Sequence, residues 1–294
     1  MRLLVALAEE APGLASTIAR VEALRQIEDW GAPHAAAAVL RADGLVARRG
    51  DDVHVFRWAS ITKPATALAA LVAVEEGIVD LDEPAGPEGS TVRHLLAHAS
   101  GLPFDAGPPI APVGRRRIYS NAGFDALAAH VAERAEMPFE RYLAAAVLVP
   151  LGMGGADLRG SAGSELHGTL GDAESLVAEL LSPRLVADET LAEATSVAFP
   201  GLAGVLPDYG RFDPMDWGLG FELKDGKDGH WSGTLTSPRT FGHFGGSGTF
   251  LWVDPELELA LVVLTDRAFG EWSKAAWPVL SDAVVREGSR ATAG

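Results

Sequence analysis

The stretch Phe56-Arg57-Trp58-Ala59-Ser60-Ile61-Thr62-Lys63 places a serine and a lysine at the predicted start of a helix. The residues from Ser60 to Glu76 are mostly apolar, with Ser60 placed to cap the first turn and Gly77 placed to end the helix. Because residues three positions apart share one helix face, the Lys63 amine can reach the Ser60 hydroxyl. The stretch therefore predicts the hydroxyl and base of a serine nucleophile.

The setting of Lys63 favours an uncharged amine. Ile61, Ala65 and Leu68 predict a mostly buried helix, where an unpaired ammonium group is costly. The positive end of the helix dipole also disfavours the charged form. Taken alone, Ser60 and Lys63 also fit an ordinary N-cap serine followed by a surface lysine, because short motifs often match by chance.

A second segment, Tyr119-Ser120-Asn121, comes just before another predicted helix. The Tyr119 phenol, placed beside a lysine, can carry a proton from the nucleophile to the leaving group. Asn121 is the only asparagine of the chain, and its amide can bind both the lysine and the acyl part of a substrate. Taken alone, the segment equally fits a turn followed by a capping asparagine.

A third segment, residues 241–248, contains four glycines within a predicted strand. Glycines in a strand are typical of a bulge or of close backbone approach by a ligand. We expect this strand to lie at a sheet edge, where the N–H group of Gly246 can join that of Ser60 as an oxyanion donor. The alternative is a glycine-rich bend with His243 packed as a neutral core residue.

Together these segments resemble the serine β-lactamase and penicillin-binding-protein-like superfamily, in its class C and esterase branch. The similarity runs from about residue 14 to 285. Three segments resemble the family's ordered motifs, and two more resemble its landmarks, which makes the match far more specific than any single motif. The motifs are Phe56–Lys63, Tyr119–Gly123 and His243–Gly245, and the landmarks are His94–Pro103 and Pro150–Met153.

The resemblance implies a role for each matching residue. Ser60 is expected to be the acylated nucleophile, Lys63 the residue that activates it and Tyr119 the general acid and base. Asn121 is expected to position the substrate. The resemblance implies no metal and no organic cofactor. The expected substrate-binding residues are Asn121, His243, Gly245 and Gly246.

The third motif departs from the family pattern. Classical β-lactamases and carboxypeptidases carry a basic residue and a hydroxyl there, which grip the substrate carboxylate. In this chain the positions are His243, mostly neutral near pH 7, and Phe244. Losing such a charge-assisted pair costs about 1.5–3 kcal/mol of recognition. The run Arg115–Arg117, just before Tyr119, can instead supply positive charge for binding an anionic substrate. Three adjacent arginines are, however, more typical of solvated loop charges.

The departure favours an esterase that acts on small neutral acyl esters through an acyl-enzyme. One alternative is a β-lactamase or a D-peptide hydrolase of the DD-carboxypeptidase or D-aminopeptidase type. Another is a non-catalytic relative that only binds ligands. The expected partner is a small-molecule ester, amide or β-lactam, and the sequence does not indicate an oligomeric state.

The order of predicted elements indicates an α+β fold. A helix over residues 14–28 and a hairpin turn at Asp43-Gly44 come first, helices separated by Gly/Pro loops follow, and strands return in the last quarter. This order predicts a β-lactamase/transpeptidase-like antiparallel sheet flanked by helices, with an all-helical insertion. We expect a sheet subdomain at 1–79 and 206–294 and a mostly helical subdomain at 80–205. The late strands are predicted at 217–223, 240–244, 249–253 and 258–265.

Composition excludes several other classes. The 294 residues carry a formal charge of −16 and no cysteine, which excludes disulfides and thiolate metal sites. Negative charge disfavours nucleic acid and anionic membranes. The apolar stretch Leu3–Ala8 is too short for an export signal, and no stretch is long enough to span a membrane, so the chain is predicted to be cytoplasmic. His94 and His98 have a zinc-compatible spacing but no third ligand nearby, so we expect structural histidines.

Overall fold

The computed structural model of this protein describes residues 21–291. The apolar stretch Leu3–Ala8 and the first part of the predicted helix over residues 14–28 therefore lie outside the described residues. The described part forms a 3₁₀ helix over Glu22–Trp30. Its buried side chains, Leu24, Ile27 and Trp30, pack it against the rest of the molecule.

The strands and helices follow one another in a mixed order along the chain. The strands are β1 (Ala35–Arg41), β2 (Gly44–Gly50), β3 (Phe56–Arg57), β4 (Arg117–Ile118), β5 (Asp157–Leu158), β6 (Leu166–Gly168), β7 (Gly204–Leu206), β8 (Gly210–Phe212), β9 (Glu222–Leu223), β10 (Phe241–Gly245), β11 (Thr249–Asp254) and β12 (Leu259–Thr265). The α-helices are α1 (Thr62–Glu75), α2 (Val92–Leu96), α3 (Asn121–Arg134), α4 (Phe139–Leu143), α5 (Leu170–Leu181), α6 (Asp188–Ala194) and α7 (Glu271–Ala291). A 3₁₀ turn at Ala59–Ile61 precedes α1, and a π-helical turn at Ala144–Leu148 follows α4. None of these described helices could cross a lipid bilayer.

The main sheet has six strands in the order β2-β1-β12-β11-β10-β9, and all neighbours are antiparallel. Strands from the two ends of the described chain meet at its centre, where β1 pairs with β12 from Ala35 opposite Thr265 to Arg41 opposite Leu259. This pairing confirms the predicted fold class, an antiparallel sheet built from both ends of the chain and flanked by helices. The insertion between the two ends is mostly helical but not all-helical as predicted, because the short strands β4, β5 and β6 lie within it.

Helices cover both faces of this sheet, which explains why its central strands β11 and β12 are buried along their whole length and mostly apolar. Alternate residues of β1 enter different cores. Ala36 and Ala38 face the core that contains α1 and α5, whereas Ala37 and Val39 face the core that contains the 3₁₀ helix and α7. The division into subdomains at 1–79 plus 206–294 and 80–205 stays a prediction.

Helix α1 runs through the middle of the larger core. Its residues from Thr62 to Ala73 are all buried, and it packs against α3, α4 and the π-helical turn. An α-helix that is apolar on every side belongs in a core. Lys63 on its first turn is therefore surrounded by protein.

The strand predicted at 217–223 is much shorter in the structure. Only Glu222–Leu223 forms β9, together with an isolated bridge between Trp217 and Glu222. The preceding residues bond to helix ends, since Leu219 N donates to the Ala194 carbonyl at 2.8 Å. The alternating apolar pattern identified an extended segment, but its hydrogen bonds go to α6 and not to a neighbouring strand.

Candidate active site

Ser60 lies in the 3₁₀ turn before α1. The helix begins at Thr62 and has no side-chain cap, so the predicted capping role of Ser60 is wrong. The turn is fastened to the sheet because Thr249 Oγ1 donates to the Trp58 carbonyl at 2.8 Å. Ala59 takes a left-handed backbone conformation with φ 48°, an uncommon state for alanine. The Ser60 side chain is left to line a cavity.

Lys63 Nζ is completely buried among neutral partners. It donates to Asn121 Oδ1 at 2.6 Å and to the Gly163 carbonyl at 2.8 Å, and it lies 3.4 Å from Ser60 Oγ. Burial lowers the pKa of Lys63 well below its usual value, and only the charge of Asp125 acts in the other direction. The surroundings thus favour the uncharged amine that the sequence predicts.

Tyr119 and Asn121 flank a helix start. Ser120 caps α3 by accepting a hydrogen bond from Gly123 N at 2.8 Å, which fixes the residues on either side of it. The Tyr119 ring packs 4.6 Å from Lys63 Nζ. Burial raises the pKa of the Tyr119 phenol above its usual value, against the opposing effect of its hydrogen bond with Ser60. The resting phenol therefore keeps its proton.

His243 lies on β10 on the other side of Tyr119. Its Nδ1 is 2.7 Å from the Phe244 carbonyl, which can only accept, so Nδ1 carries the proton and Nε2 is left as an acceptor. Nε2 lies 3.5 Å from the Tyr119 hydroxyl. Burial lowers the pKa of His243 to about 3. This position therefore supplies no positive charge near neutral pH.

Gly245 brings β10 close to Ser60. A Cβ on Gly245 would lie 2.7 Å from the Trp58 carbonyl oxygen and 2.9 Å from Ser60 N, closer than real Cβ atoms come. Only glycine permits this approach. Strand β9 pairs with just Phe241 and Gly242, so the expected sheet edge is found from His243 onward.

Most of these residues line one cavity of about 310 Å³, which we call the Ser60 cavity, whereas Lys63 and Gly245 are not among its lining residues. The charged side chains on its wall are Arg57, whose guanidinium is bound by Glu165, and Asp208. The rest of the wall is neutral. It includes Ser60, Tyr119, Asn121, His243, Phe244 and Gly246.

A second cavity of about 610 Å³ adjoins it and shares Phe104, Tyr119 and Pro207 with it. Arg115 and Arg116 line this second cavity. The interpretation of the arginine run as solvated loop charge is wrong for the third member. The Arg117 side chain is buried and donates to the carbonyls of residues 97, 198 and 215, so it holds the loops around Tyr119 together.

The sequence reasoning missed the roles of two groups at the site. The Gly163 carbonyl binds Lys63, but a backbone acceptor leaves no trace in the sequence. His98 accepts a hydrogen bond from Ser120 N at 3.2 Å and packs against Tyr119, with 4.7 Å between the ring centroids. Its place in the landmark His94–Pro103 was the available signal. Within the described residues, His94 and His98 belong to no cluster of three metal-ligating side chains.

Comparison with known proteins gives a family match over most of the chain. The family model described as Beta-lactamase matches residues 19–285. A crystal structure of a β-lactamase from Mycobacterium bovis is 52% identical, with a TM-score of 0.89, and the match covers 90% of this chain and 99% of that one.

More distant matches share the fold. A simvastatin synthase from Aspergillus terreus is 19% identical, with a TM-score of 0.74 and coverage of 92% and 95% of the two chains. EstCE1, a hydrolase with promiscuous acyltransferase activity, is 18% identical, with a TM-score of 0.75 and coverage of 90% and 97%. Penicillin-binding protein 4* of Bacillus subtilis is 28% identical over 34% of this chain. The match spans 29% of that relative's length.

Proposed function

This chain belongs to the Beta-lactamase family of serine hydrolases, and we propose that it is an esterase for small neutral acyl esters that works through an acyl-enzyme on Ser60. The observation that carries this proposal is that the Ser60 hydroxyl, on the wall of one cavity, lies 3.4 Å from the fully buried Lys63 amine and bonds to the Tyr119 phenol on the same wall. In this proposal Ser60 is the nucleophile, Lys63 its base and Tyr119 the acid for the leaving group.

The hydrogen bonds of Lys63 match those of a neutral amine. Such an amine has two N–H groups and one lone pair. Asn121 Oδ1 and the Gly163 carbonyl accept the two N–H groups, and the lone pair is then available to the Ser60 hydroxyl at 3.4 Å. Lys63 is therefore prepared to accept the proton of Ser60 when the hydroxyl attacks.

In acylation, Ser60 Oγ forms a bond to the ester carbonyl carbon while its proton passes to the amine of Lys63. The N–H groups of Ser60 and Gly246 stabilise the oxyanion that develops. The bond to the alkoxy group breaks as Tyr119 donates its phenol proton, and the alcohol departs. The acyl group then remains on Ser60, with Lys63 protonated and Tyr119 ionised.

In deacylation, a water molecule gives a proton to the Tyr119 phenolate and attacks the acyl carbon. The bond from the acyl carbon to Ser60 Oγ breaks, and Ser60 regains its proton from Lys63. The ammonium group, 4.6 Å from the phenol ring, stabilises the phenolate between the two steps. Both residues return to their resting protonation states.

The wall of the Ser60 cavity supports a neutral substrate. His243 is uncharged near pH 7, Phe244 has no hydroxyl, and Arg57 is already bound by Glu165. A substrate carboxylate would therefore lose its water without gaining a charged partner, which is unfavourable. A neutral acyl ester has no such cost.

A second candidate is β-lactam hydrolysis by the same nucleophile, because the 52% identical structure from Mycobacterium bovis is described as a β-lactamase. Nitrocefin and p-nitrophenyl butyrate distinguish the two. The esterase proposal expects kcat/KM for the butyrate ester to exceed that for nitrocefin. Rapid nitrocefin turnover with negligible ester hydrolysis would favour the β-lactamase.

The central test is hydrolysis of p-nitrophenyl acetate or butyrate by the wild type and by Ser60→Ala. We expect Ser60→Ala to lose the activity, with an acyl adduct on Ser60 detected by mass spectrometry in the wild type. Ser196→Ala is the control, since this exposed hydroxyl bonds only to the local Ala192 carbonyl. Equal rates for the wild type and Ser60→Ala would overturn the proposal. An active-site phosphonate that leaves Ser60 unlabelled would indicate a relative that only binds ligands.

A further inference from the structure

Two histidines and two aspartates from distant parts of the sequence meet outside the Ser60 cavity. His34 precedes β1, Asp51 and His54 follow β2, and Asp266 follows β12. The two imidazole rings stack in parallel, with centroids 3.9 Å apart and planes 6° apart. One ligand atom each of His34, His54 and Asp266 lies within 4.8 Å of the others.

The first histidine is held in a defined orientation. His34 Nδ1 lies 3.0 Å from Asp51 Oδ2, while the other oxygen of Asp51 accepts hydrogen bonds from Val53 N and His54 N. Because a carboxylate accepts, Nδ1 of His34 carries the proton and Nε2 keeps its lone pair. Histidines that bind a metal ion through one ring nitrogen usually donate a hydrogen bond from the other, often to a carboxylate that fixes the ring orientation.

The other two side chains are also supported. His54 Nε2 lies 3.9 Å from Asp266 Oδ2, and the His54 ring rests against the edge of Phe56 at 4.6 Å. Asp266 Oδ1 accepts a hydrogen bond from His34 N at 2.9 Å, and Asp266 N donates to the His34 carbonyl. One backbone bond and one bond to a side chain therefore join His34 and Asp266 directly beyond the last β1–β12 pair, Ala35 opposite Thr265, so two of the three side chains stand at the end of a paired ladder.

We propose that His34, His54 and Asp266 bind one Zn²⁺ ion, with Asp51 orienting His34 and a water molecule as the fourth ligand. Two imidazoles and a carboxylate suit zinc, whose donors lie about 2.0–2.2 Å from the ion. Drawing atoms within 4.8 Å to that spacing requires each to move by about 1 Å or less. The two stacked imidazole rings must also rotate, because their in-plane lone pairs now run side by side and have to converge on the ion. The side chains are between 30% and 43% exposed, so an ion can enter from solvent.

This site is separate from the proposed hydrolytic residues, but a short segment joins them. Asp266 begins the loop that leads to Phe269, which lines the Ser60 cavity and whose N–H donates to the Gly246 carbonyl at 3.0 Å. The ion would tie the start of β1 and the end of β12 together beside that loop. Its main effect is therefore expected on stability, with hydrolysis left to Ser60.

The test is titration of chelator-treated protein with Co²⁺ followed by visible absorption, and with Zn²⁺ followed by calorimetry. We expect one ion to bind per chain. Bound Co²⁺ should show the visible absorption bands of a four-coordinate ion with nitrogen ligands, and bound Zn²⁺ should raise the melting temperature. His54→Ala and Asp266→Asn should each weaken binding at least about tenfold. Asp51→Asn should weaken it by about 10- to 100-fold, because His34 loses its orienting carboxylate.

His130→Ala is the matched control, because this partly buried histidine pairs with Glu83 elsewhere in the fold. It should bind Zn²⁺ as the wild type does, and so should Ser60→Ala. Circular dichroism of each variant shows whether it is folded. The milder variant His54→Gln gives a second test of the site if His54→Ala fails to fold. No binding by the wild type, or equal affinity in a folded His54→Ala or His54→Gln, would overturn the proposal.

Discussion

Lys63 and Lys227 are both buried lysines, but their surroundings differ in charge. The amine of Lys63 meets an amide oxygen, a carbonyl and a hydroxyl, and forms no ion pair with any described residue. The amine of Lys227 bonds to the carbonyls of Asp216 and Leu223 and lies 4.0 Å from the Glu222 carboxylate. One region buries a lysine with neutral partners, and the other buries it beside a carboxylate.

This difference in charge fits two different roles, a proposed catalytic base for Lys63 and a structural role for Lys227. Burial lowers the pKa of both lysines, but at Lys227 the charges of Glu222, Asp216 and Asp225 act against the shift. Glu222 also binds His230 Nε2 at 3.1 Å. At Lys63 only Asp125 opposes the shift. The neutral amine, which is the useful base, is favoured only where a carboxylate partner is missing.

The second region also shows that residue types alone do not make a nucleophile. Ser232 Oγ lies 2.8 Å from His230 Nδ1, and His230 bonds to Glu222, so a hydroxyl, an imidazole and a carboxylate follow one another. However, Ser232 is completely buried and lines neither cavity described above. Ser60 differs from it in access to a cavity.

The largest expected effect comes from exchanging the two lysines in turn for methionine. Lys63→Met should lower kcat/KM for p-nitrophenyl butyrate by about 10³-fold, because the base for Ser60 is removed. Lys227→Met should change the kcat/KM of the folded enzyme by less than about threefold, since it is not part of the proposed machinery. Steady-state kinetics measures kcat/KM for both variants. A similar loss of kcat/KM in the two would contradict the contrast between Lys63 and Lys227.

Stability should respond in the opposite way. Lys227→Met should lower the free energy of unfolding by about 3 kcal/mol, because it leaves the Glu222 carboxylate buried without its nearby cation. Urea denaturation followed by circular dichroism measures this loss. Lys274→Met is the control, since its exposed pair with Glu271 should contribute less than about 0.5 kcal/mol. A loss no larger than that of the control would contradict the structural role of Lys227.

Tyr119→Phe tests the proton path beside Lys63. We expect kcat for an alkyl ester, ethyl butyrate, to fall by about 10²-fold, because no group then protonates the leaving ethoxide. The loss should shrink with p-nitrophenyl butyrate, whose more acidic leaving group departs without help. Tyr142→Phe removes a phenol that bonds to Glu76, on another part of the fold, and should leave kcat unchanged. An equal loss for all leaving groups would assign Tyr119 a structural role instead.

The smallest expected effect is on the pH dependence of stability. Burial lowers the pKa of His243 to about 3, so as the pH falls below about 6.5 the unfolded chain takes up a proton that the folded chain refuses. Stability is then lost by at most about 1.4 kcal/mol per pH unit. At His230, Glu222 opposes the effect of burial on the pKa.

His243→Gln should therefore flatten the fall in unfolding free energy between pH 6.5 and 4.5 more than His230→Gln does. Denaturation at several pH values measures the two slopes. Equal slopes, or a larger change in His230→Gln, would contradict the contrast between the two regions.

The sequence was most informative for segments that lie in the core. Apolar periodicity predicted most of the helices and the long strands, although the strand expected at 217–223 was too long and the short strands β4–β6 were missed. The ordered motifs predicted that Ser60, Lys63, Tyr119, Asn121 and His243 would lie close together. The same reasoning identified the sheet built from both chain ends. Each of these predictions started from a pattern among residues that are close together in the sequence.

What the sequence did not predict depends on contacts between distant residues. Glu222 lies on the short strand β9, Lys227 and His230 lie in the polar loop that follows, and only the fold buries the three together. His34 and Asp266 are 232 positions apart, so no spacing rule connects them. The hydrogen bond from Lys63 to the Gly163 carbonyl and those from Arg117 to three carbonyls were also not predictable, because each depends on the direction in which a backbone carbonyl points.

The pairing of β1 with β12 has a consequence for synthesis. Ser60 and Lys63 are synthesised well before the glycine strand that closes their cavity and before β12, the partner of β1. Until those strands are made, a nascent chain carries the proposed reactive residues without the frame that surrounds them. A premature stop between residues 64 and 240 yields a product with the proposed nucleophile and no completed pocket.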